Sequence, residues 1–377
     1  MVSFFRALVP LVGLSSGLLA TNSSLAQDHS KSAIVQKGIA SPAFLALQER
    51  AGQGYTDAEL KLAADYSTGQ DVEVDQAAAT YWYRRAAESG VPSAQVEVGF
   101  RYGTGLGIPR DDAAAAGWYL RASAEGDIGG LINLGVCQIF GLGVTKDEKE
   151  GFLNLARAAK RDNSFAQTYL GNLYYFGIGT PADPVRAEDL YRKAAKKGNP
   201  IASYNLGTLL SVTPNHAHDF KQAATYLRQA VIGGYSPAQH SLGLILVNHP
   251  EIHQALGEAI DDLRSSAEQG NWRSAAALGA MARDGQLQPV NFEMAYFWFR
   301  VAMDIGGSDA EPVLAPAWPA VTKQIKDDAK LKQLTEDASQ WVEAHPKTET
   351  LRVGNGHSNR YFPSAIVSFP IESSRMQ

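Results

Sequence analysis

Apolar residues along this chain recur at helical rather than strand spacing, and they do so in blocks of constant length. Ala94, Val98 and Tyr102 stand at i, i+4 and i+8, and Ala202, Leu206 and Leu210 repeat the stripe three blocks later. Such spacing predicts one packed face on a helix. A second helix follows in each block, marked by Tyr81-Trp82-Tyr83-Arg84, Trp118-Tyr119-Leu120-Arg121, Asp189-Leu190-Tyr191-Arg192 and Tyr226-Leu227-Arg228. Glycines fix the block length. They fall at 99, 135, 171, 207, 243 and 279, each 36 residues from the next.

Two further columns keep the same register. One holds Gly90, Gly126, Gly198, Gly234, Gly270 and Gly306, interrupted by Asp162; the other holds Ala79, Ala115, Gly151, Ala187, Ala223, Ala259 and Ala295. Three columns in phase predict helix-turn-helix repeats. Helix A carries the first glycine, which costs about 1 kcal/mol relative to Ala, and close approach to Ala on the neighbouring helix is the expected reason for it. Helix B is expected to close at the second glycine in a left-handed conformation. Between them sit Gly105-Leu106-Gly107, Gly141-Leu142-Gly143 and Gly177-Ile178-Gly179.

From Ala166 to Gly198 the chain reads Leu170-Gly171, Tyr174, Gly177, Gly179, Ala187, Leu190-Tyr191-Arg192-Lys193-Ala194-Ala195 and Gly198. This stretch resembles the Sel-like repeat (SLR) family, a relative of the tetratricopeptide repeat. The resemblance covers roughly residues 58–306, or about seven units, the first with Ala63 in place of the helix A glycine. It implies an all-α, right-handed α-solenoid with a concave groove, and family members mostly act as adaptors or scaffolds. The unit at 127–163 replaces the helix B aromatic pair with Asn154-Leu155, and the two units after Gly207 and Gly243 lose G-x-G.

Beyond Gly306 the period fails, because Pro312, Pro316 and Pro319 interrupt any helix. A helical pattern returns over 321–345, with Leu334, Ala338, Trp341 and Val342 on one side. It reads as a cap on the last repeat. The expected organisation is therefore a signal peptide at 1–26, a linker and N-terminal cap at 27–57, repeats at 58–306, a capping helix within 307–345 and an extended tail at 346–377.

The first 26 residues change the compartment rather than the fold. Arg6 supplies a positive start, residues 7–20 are apolar, and Ser24-Leu25-Ala26 places small residues at a cleavage site, as in a secretory signal. Export to the periplasm or beyond is the expectation. The chain as a whole has 34 Lys and Arg against 39 Asp and Glu, with no basic cluster. Nucleic acid is therefore not an expected partner. A hydrophobic fraction of 45% and a mean hydropathy of −0.19 suit a soluble core.

Motifs that carry chemistry are few. Gly13-Leu14-Ser15-Ser16-Gly17 fits a nucleophile elbow in letters only, since it lies inside the leader. Gly103-Thr104-Gly105-Leu106-Gly107 lacks the Lys-Ser/Thr pair of a phosphate loop and recurs between repeats, so it reads as a turn. H-E-x-x-H and S-x-x-K are absent. The single cysteine, Cys137, aligns with Leu173, Leu209, Ile245 and Met281 and is expected to be a buried hydrophobe. His216, His218, His249 and His253 occupy loops of adjacent repeats and could approach one another, but neither cysteine nor a carboxylate set joins them, and no metal site is assigned. No cofactor or catalytic residue is expected.

Helix A positions 96, 100 and 103 lie off the packed stripe, and by analogy with tetratricopeptide repeats their columns line the groove. Phe100, Thr168, Asn172, Tyr175, Tyr204, Thr208, His240 and Arg283 belong to them. Tyr and Arg anchors among uncharged polar groups suit recognition of a protein or peptide; the alternative for the aromatic members is packing between helices. The functional expectation is an adaptor or scaffold in the cell envelope. The other reading is an accessory factor or enzyme in cell-wall or polysaccharide processing.

Overall fold

The structure is a computed structural model; it describes residues 41–346 apart from 213–218, 250, 253–255 and 287–288. The expected leader, most of the linker and the tail beyond residue 346 lie outside the described residues. So do His216, His218 and His253. The described residues form α-helices and short turns with no strand.

The chain divides into two compact units, residues 1–85 and 86–377. In the first, α1 (Pro42–Gly52) and α2 (Thr56–Thr68) precede α3 (Gln76–Glu88), which carries the boundary. Phe44 meets Tyr66 edge to face at 5.9 Å, and the buried Glu59 carboxylate accepts from Arg85 at 3.1 Å.

The second unit stacks helix pairs: α4 (Pro92–Thr104) with α5 (Asp112–Ala124), α6 (Ile128–Phe140) with α7 (Glu148–Ala159), and α8 (Ser164–Phe176) with α9 (Pro184–Lys196). Next come α10 (Pro200–Val212) with α11 (Phe220–Ile232), α12 (Pro237–Asn248) with α13 (Leu256–Glu268), and α14 (Trp272–Arg283) with α15 (Phe292–Gly306). This is an α-solenoid. Its first helices, here the A layer, are α4, α6, α8, α10, α12 and α14.

Each pair starts and stops on residues in register. Asp75, Asp111, Asp147, Asp183 and Asp219, spaced 36 apart, each accept a main-chain N–H three residues on at the start of a B helix. A carboxylate there satisfies an orphan donor and suits the helix dipole. B helices close as expected at Gly90, Gly126, Gly198, Gly234 and Gly270, all with positive φ, and Asp162 takes the same conformation at +61°. The last position differs: α15 runs through Gly306, and Gly307 takes the positive φ.

The G-x-G turns are seating elements. A Cβ on Gly143 would stand 2.0 Å from the Asp112 carbonyl oxygen, and one on Gly179 would stand 2.2 Å from that of Glu148. Each loop thus lies directly on the first turn of the preceding repeat's B helix. After α15, Pro312 and Pro319 interrupt a long helix but open two short ones, α16 (Glu311–Leu314) and α17 (Trp318–Thr322), since proline is tolerated in a first turn. The final helix, α18 (Asp328–Ala344), buries Leu334 and Ala338 and sets Trp341 edge-on to Trp298 of α15 at 5.4 Å.

Candidate functional site: the A-helix face

The residues that the pattern assigned to the groove separate into two groups. Asn172, Tyr204 and Thr208 are buried, at 5%, 6% and 2% exposure, and Thr168 is buried as well. Asn172 Oδ1 accepts from Tyr191 Oη at 2.7 Å and from Asn205 Nδ2 at 2.9 Å. Tyr204 packs its ring on Tyr235 at 5.1 Å, and Thr168 Oγ1 donates to the Ser164 carbonyl. Asn172 thus ties α8 to α9 and α10, and Tyr204 ties α10 to the turn that follows α11.

Phe100, Tyr175, His240 and Arg283 are half-buried and retain accessible surface. Tyr175 meets Phe176 edge-on at 5.0 Å. Arg283 pairs with Asp284 beside it on the same helix end, at 2.6 Å. His240 is turned inward: its Nδ1 lies 2.7 Å from Ser274 Oγ, which donates to Ser266 Oγ at 2.9 Å. Burial, with the Arg273 charge adding, holds the His240 imidazolium down at a pKa of about 4, so the ring is neutral at pH 7. Ser274 is fully buried, so this Ser–His contact offers no nucleophile to a substrate and acts as a polar pin joining α12, α13 and α14.

The motif reading missed the next column along. Phe140 and Phe176 stand one repeat apart at the ends of α6 and α8, 36% and 42% exposed, in line with Thr104 and Val212. The signal was in the same 36-residue register, one position beyond the columns chosen. The accessible aromatic residues of these columns are thus Phe140 and Phe176, with the half-buried Phe100 and Tyr175, and the exposed Asp284 ends the column of the first two. Also missed was Arg101, fully buried on α4, whose Nε donates to Glu97 Oε1 at 3.0 Å.

Burial pushes the Cys137 thiol up to about 12, with the Asp112 carboxylate adding, so it is a core thiol. His249 stacks on Phe220 at 3.6 Å and contacts Glu251. Among the described residues no group of three or more His, Cys, Asp or Glu is placed to hold a metal ion. None of their helices is long and apolar enough to cross a membrane.

The family model of the Sel1 repeat matches residues 56–91, 92–127, 129–163, 164–199 and 272–304. The chain carries Sel1 repeats. Between the fourth and fifth matches, the pairs α10–α11 and α12–α13 keep the helical architecture where the loops have lost G-x-G. A Sel1 repeat protein from Oxalobacter formigenes is 26% identical with a TM-score of 0.57, over 76% of this chain and 84% of that one. An SLR-fold protective antigen of uropathogenic Escherichia coli, c5321, is 24% identical with a TM-score of 0.48, over 83% and 76%. No curated protein sequence matches this Sel1-repeat chain significantly. Sel1-repeat proteins generally mediate protein–protein interactions and are typically not enzymes.

Proposed function

We propose that this chain is an exported adaptor of the bacterial cell envelope that holds a protein or peptide partner on its A-helix face. The exposed pair Phe140 and Phe176, one repeat apart and flanked by Phe100 and Tyr175, carries the reading. Aromatic side chains presented at a fixed spacing anchor partners at low entropic cost. Stacked helices set that spacing in advance, so docking orders little of the scaffold. Binding is non-covalent. Export rests on the leader pattern at 1–26.

The test is quantitative capture from envelope extract by the full chain and by a Phe140→Ala, Tyr175→Ala, Phe176→Ala variant of unchanged helicity and melting temperature. A partner held by wild type and lost by the variant supports the reading. Identical capture by both overturns it. Whether residues 1–26 are removed is read separately, from the N-terminal sequence of the protein recovered from the envelope.

A further inference from the structure

We propose that the edge where the B helices of the middle repeats end docks on an anionic lipid bilayer, held by six cations and seated by Ile232. The cations come from two separate stretches of sequence, 157–161 and 193–197, which only the stacking of repeats unites. Arg157, Lys160 and Arg161 close α7, and Lys193, Lys196 and Lys197 hold the same three columns at the end of α9. All six are exposed. Two contacts between residues 35 apart set these ends side by side: Arg161 donates to the Gly126 carbonyl after α5, and Lys197 donates to the Asp162 carbonyl after α7. Neighbouring helices stand ~10 Å apart, so the six positive groups share one small area.

Little of this charge is matched within the protein. Lys197 pairs with Asp162, and Glu125 and Asp127 flank Arg161, but Lys160, Lys193 and Lys196 have no carboxylate partner among the described residues. Cations suit a helix C-terminus, yet the dipole does not demand three, since Glu125 after α5 and Glu268 on α13 stand in two of these same columns. The column of Lys160 and Lys196 continues to Ile232, the last residue of α11. At 86% it is the most exposed large hydrophobic side chain among the described residues. Charge alone would serve an acidic peptide or a nucleic acid. A protruding aliphatic side chain in the same row favours lipid, with the cations on headgroup phosphates and the apolar group at the acyl boundary.

Docking in this way leaves the aromatic column clear. The Asp147 N–H donates to the Gln138 carbonyl and the Asp183 N–H to that of Tyr174, so each A helix ends beside the start of its B helix. Phe140 and Phe176 therefore stand at the opposite edge, a helix length of ~18 Å away. The lipid surface and the A-helix face are separate sites, and neither reading depends on the other.

Co-sedimentation of the full chain with vesicles of equal parts phosphatidylcholine and phosphatidylglycerol tests this. Pure phosphatidylcholine vesicles measure binding that needs no charge, including any through the apolar residues 7–20. Wild type is expected to bind the anionic vesicles and to be released by high salt, which screens exposed charges. Lys160→Gln, Lys193→Gln and Lys196→Gln together are expected to weaken binding roughly tenfold or more. Ile232→Ser is expected to weaken it roughly fivefold. Both variants change exposed side chains and should keep the melting temperature of wild type. Equal sedimentation of wild type and the lysine variant overturns the proposal, and so does an Ile232→Ser protein that binds as wild type does. Retention on polyglutamate or single-stranded DNA without binding to anionic vesicles overturns it too, because the edge then serves another class of partner.

Discussion

The ring of Tyr191 occupies the space where a side chain on Gly171 would have to begin: a Cβ there would stand 2.6 Å from Tyr191 Cε1. The relation recurs twenty residues apart in every pair. Gly99 faces Tyr119, Gly207 faces Leu227, Gly243 faces Leu263 and Gly279 faces Phe299, at 2.5–2.8 Å from the same notional Cβ, while Gly135 faces the Gly151 carbonyl and Leu155. The glycine therefore admits a large B-helix side chain. The alanine column expected in that role contributes through its backbone, with the Ala223 and Ala259 carbonyl oxygens 3.0 and 3.2 Å from the notional Cβ atoms of Gly207 and Gly243.

Gly171→Ala should consequently destabilise the protein by about 2 kcal/mol, the cost of overpacking outweighing the gain in helix propensity. Tyr191 cannot retreat without giving up its hydrogen bond to Asn172. Urea unfolding measures the loss. An unchanged midpoint would show that the ring has room to move.

His240 makes stability depend on acid. Its pKa is about 4 in the folded chain against an ordinary value near 6.5, so the unfolded chain takes up the proton first. The stability from a neutral, buried ring is complete above pH 6.5 and falls as the pH drops toward 4, by about 2 kcal/mol. The melting temperature of wild type should therefore fall more steeply over pH 6.5–4.5 than that of His240→Gln. Parallel curves would contradict the inward placement.

Asp262 has the opposite sign. Burial, with Glu258 adding, Arg228 opposing and Asp261 adding, raises its carboxyl to about 6, and its Oδ2 is buried without a hydrogen-bond partner. The protonated form is stabilising below the ordinary carboxylate pKa, and that contribution is lost as the pH rises through 6. Asp262→Asn should then raise stability at pH 7.5 by about 1 kcal/mol, discounted for its partial exposure, with the difference shrinking toward pH 4. A variant less stable than wild type at pH 7.5 would show that the ionised carboxylate supports the fold.

Cys137, buried with its thiol pushed up to about 12, should resist alkylation at pH 8 in the native chain and react promptly in denaturant, as expected of a thiol rather than a thiolate. Mass spectrometry after a timed iodoacetamide pulse reads this directly. Rapid native labelling would place the side chain outside the core.

Repeat length, helix pairing, the left-handed helix ends and the Sel1 likeness were all legible in the chain, because each depends on residue type at a short, fixed spacing. The capping aspartates at 75, 111, 147, 183 and 219 were legible too and were overlooked, although they hold the same register. Local chemistry suffices for such features: a carboxylate satisfies the N–H groups three residues on wherever the chain starts a helix.

Which positions of a column face outward was decided by tertiary structure. Phe100, Asn172 and Thr208 share one column, yet the first keeps accessible surface, the second is bound by Tyr191 and Asn205, and the third is buried. Their partners lie 19 and 33 residues away in Asn172's case, on helices whose side chains differ from repeat to repeat. A periodic sequence sets where each helix stands; what each side chain meets depends on the volume and polarity of neighbours that only packing brings together.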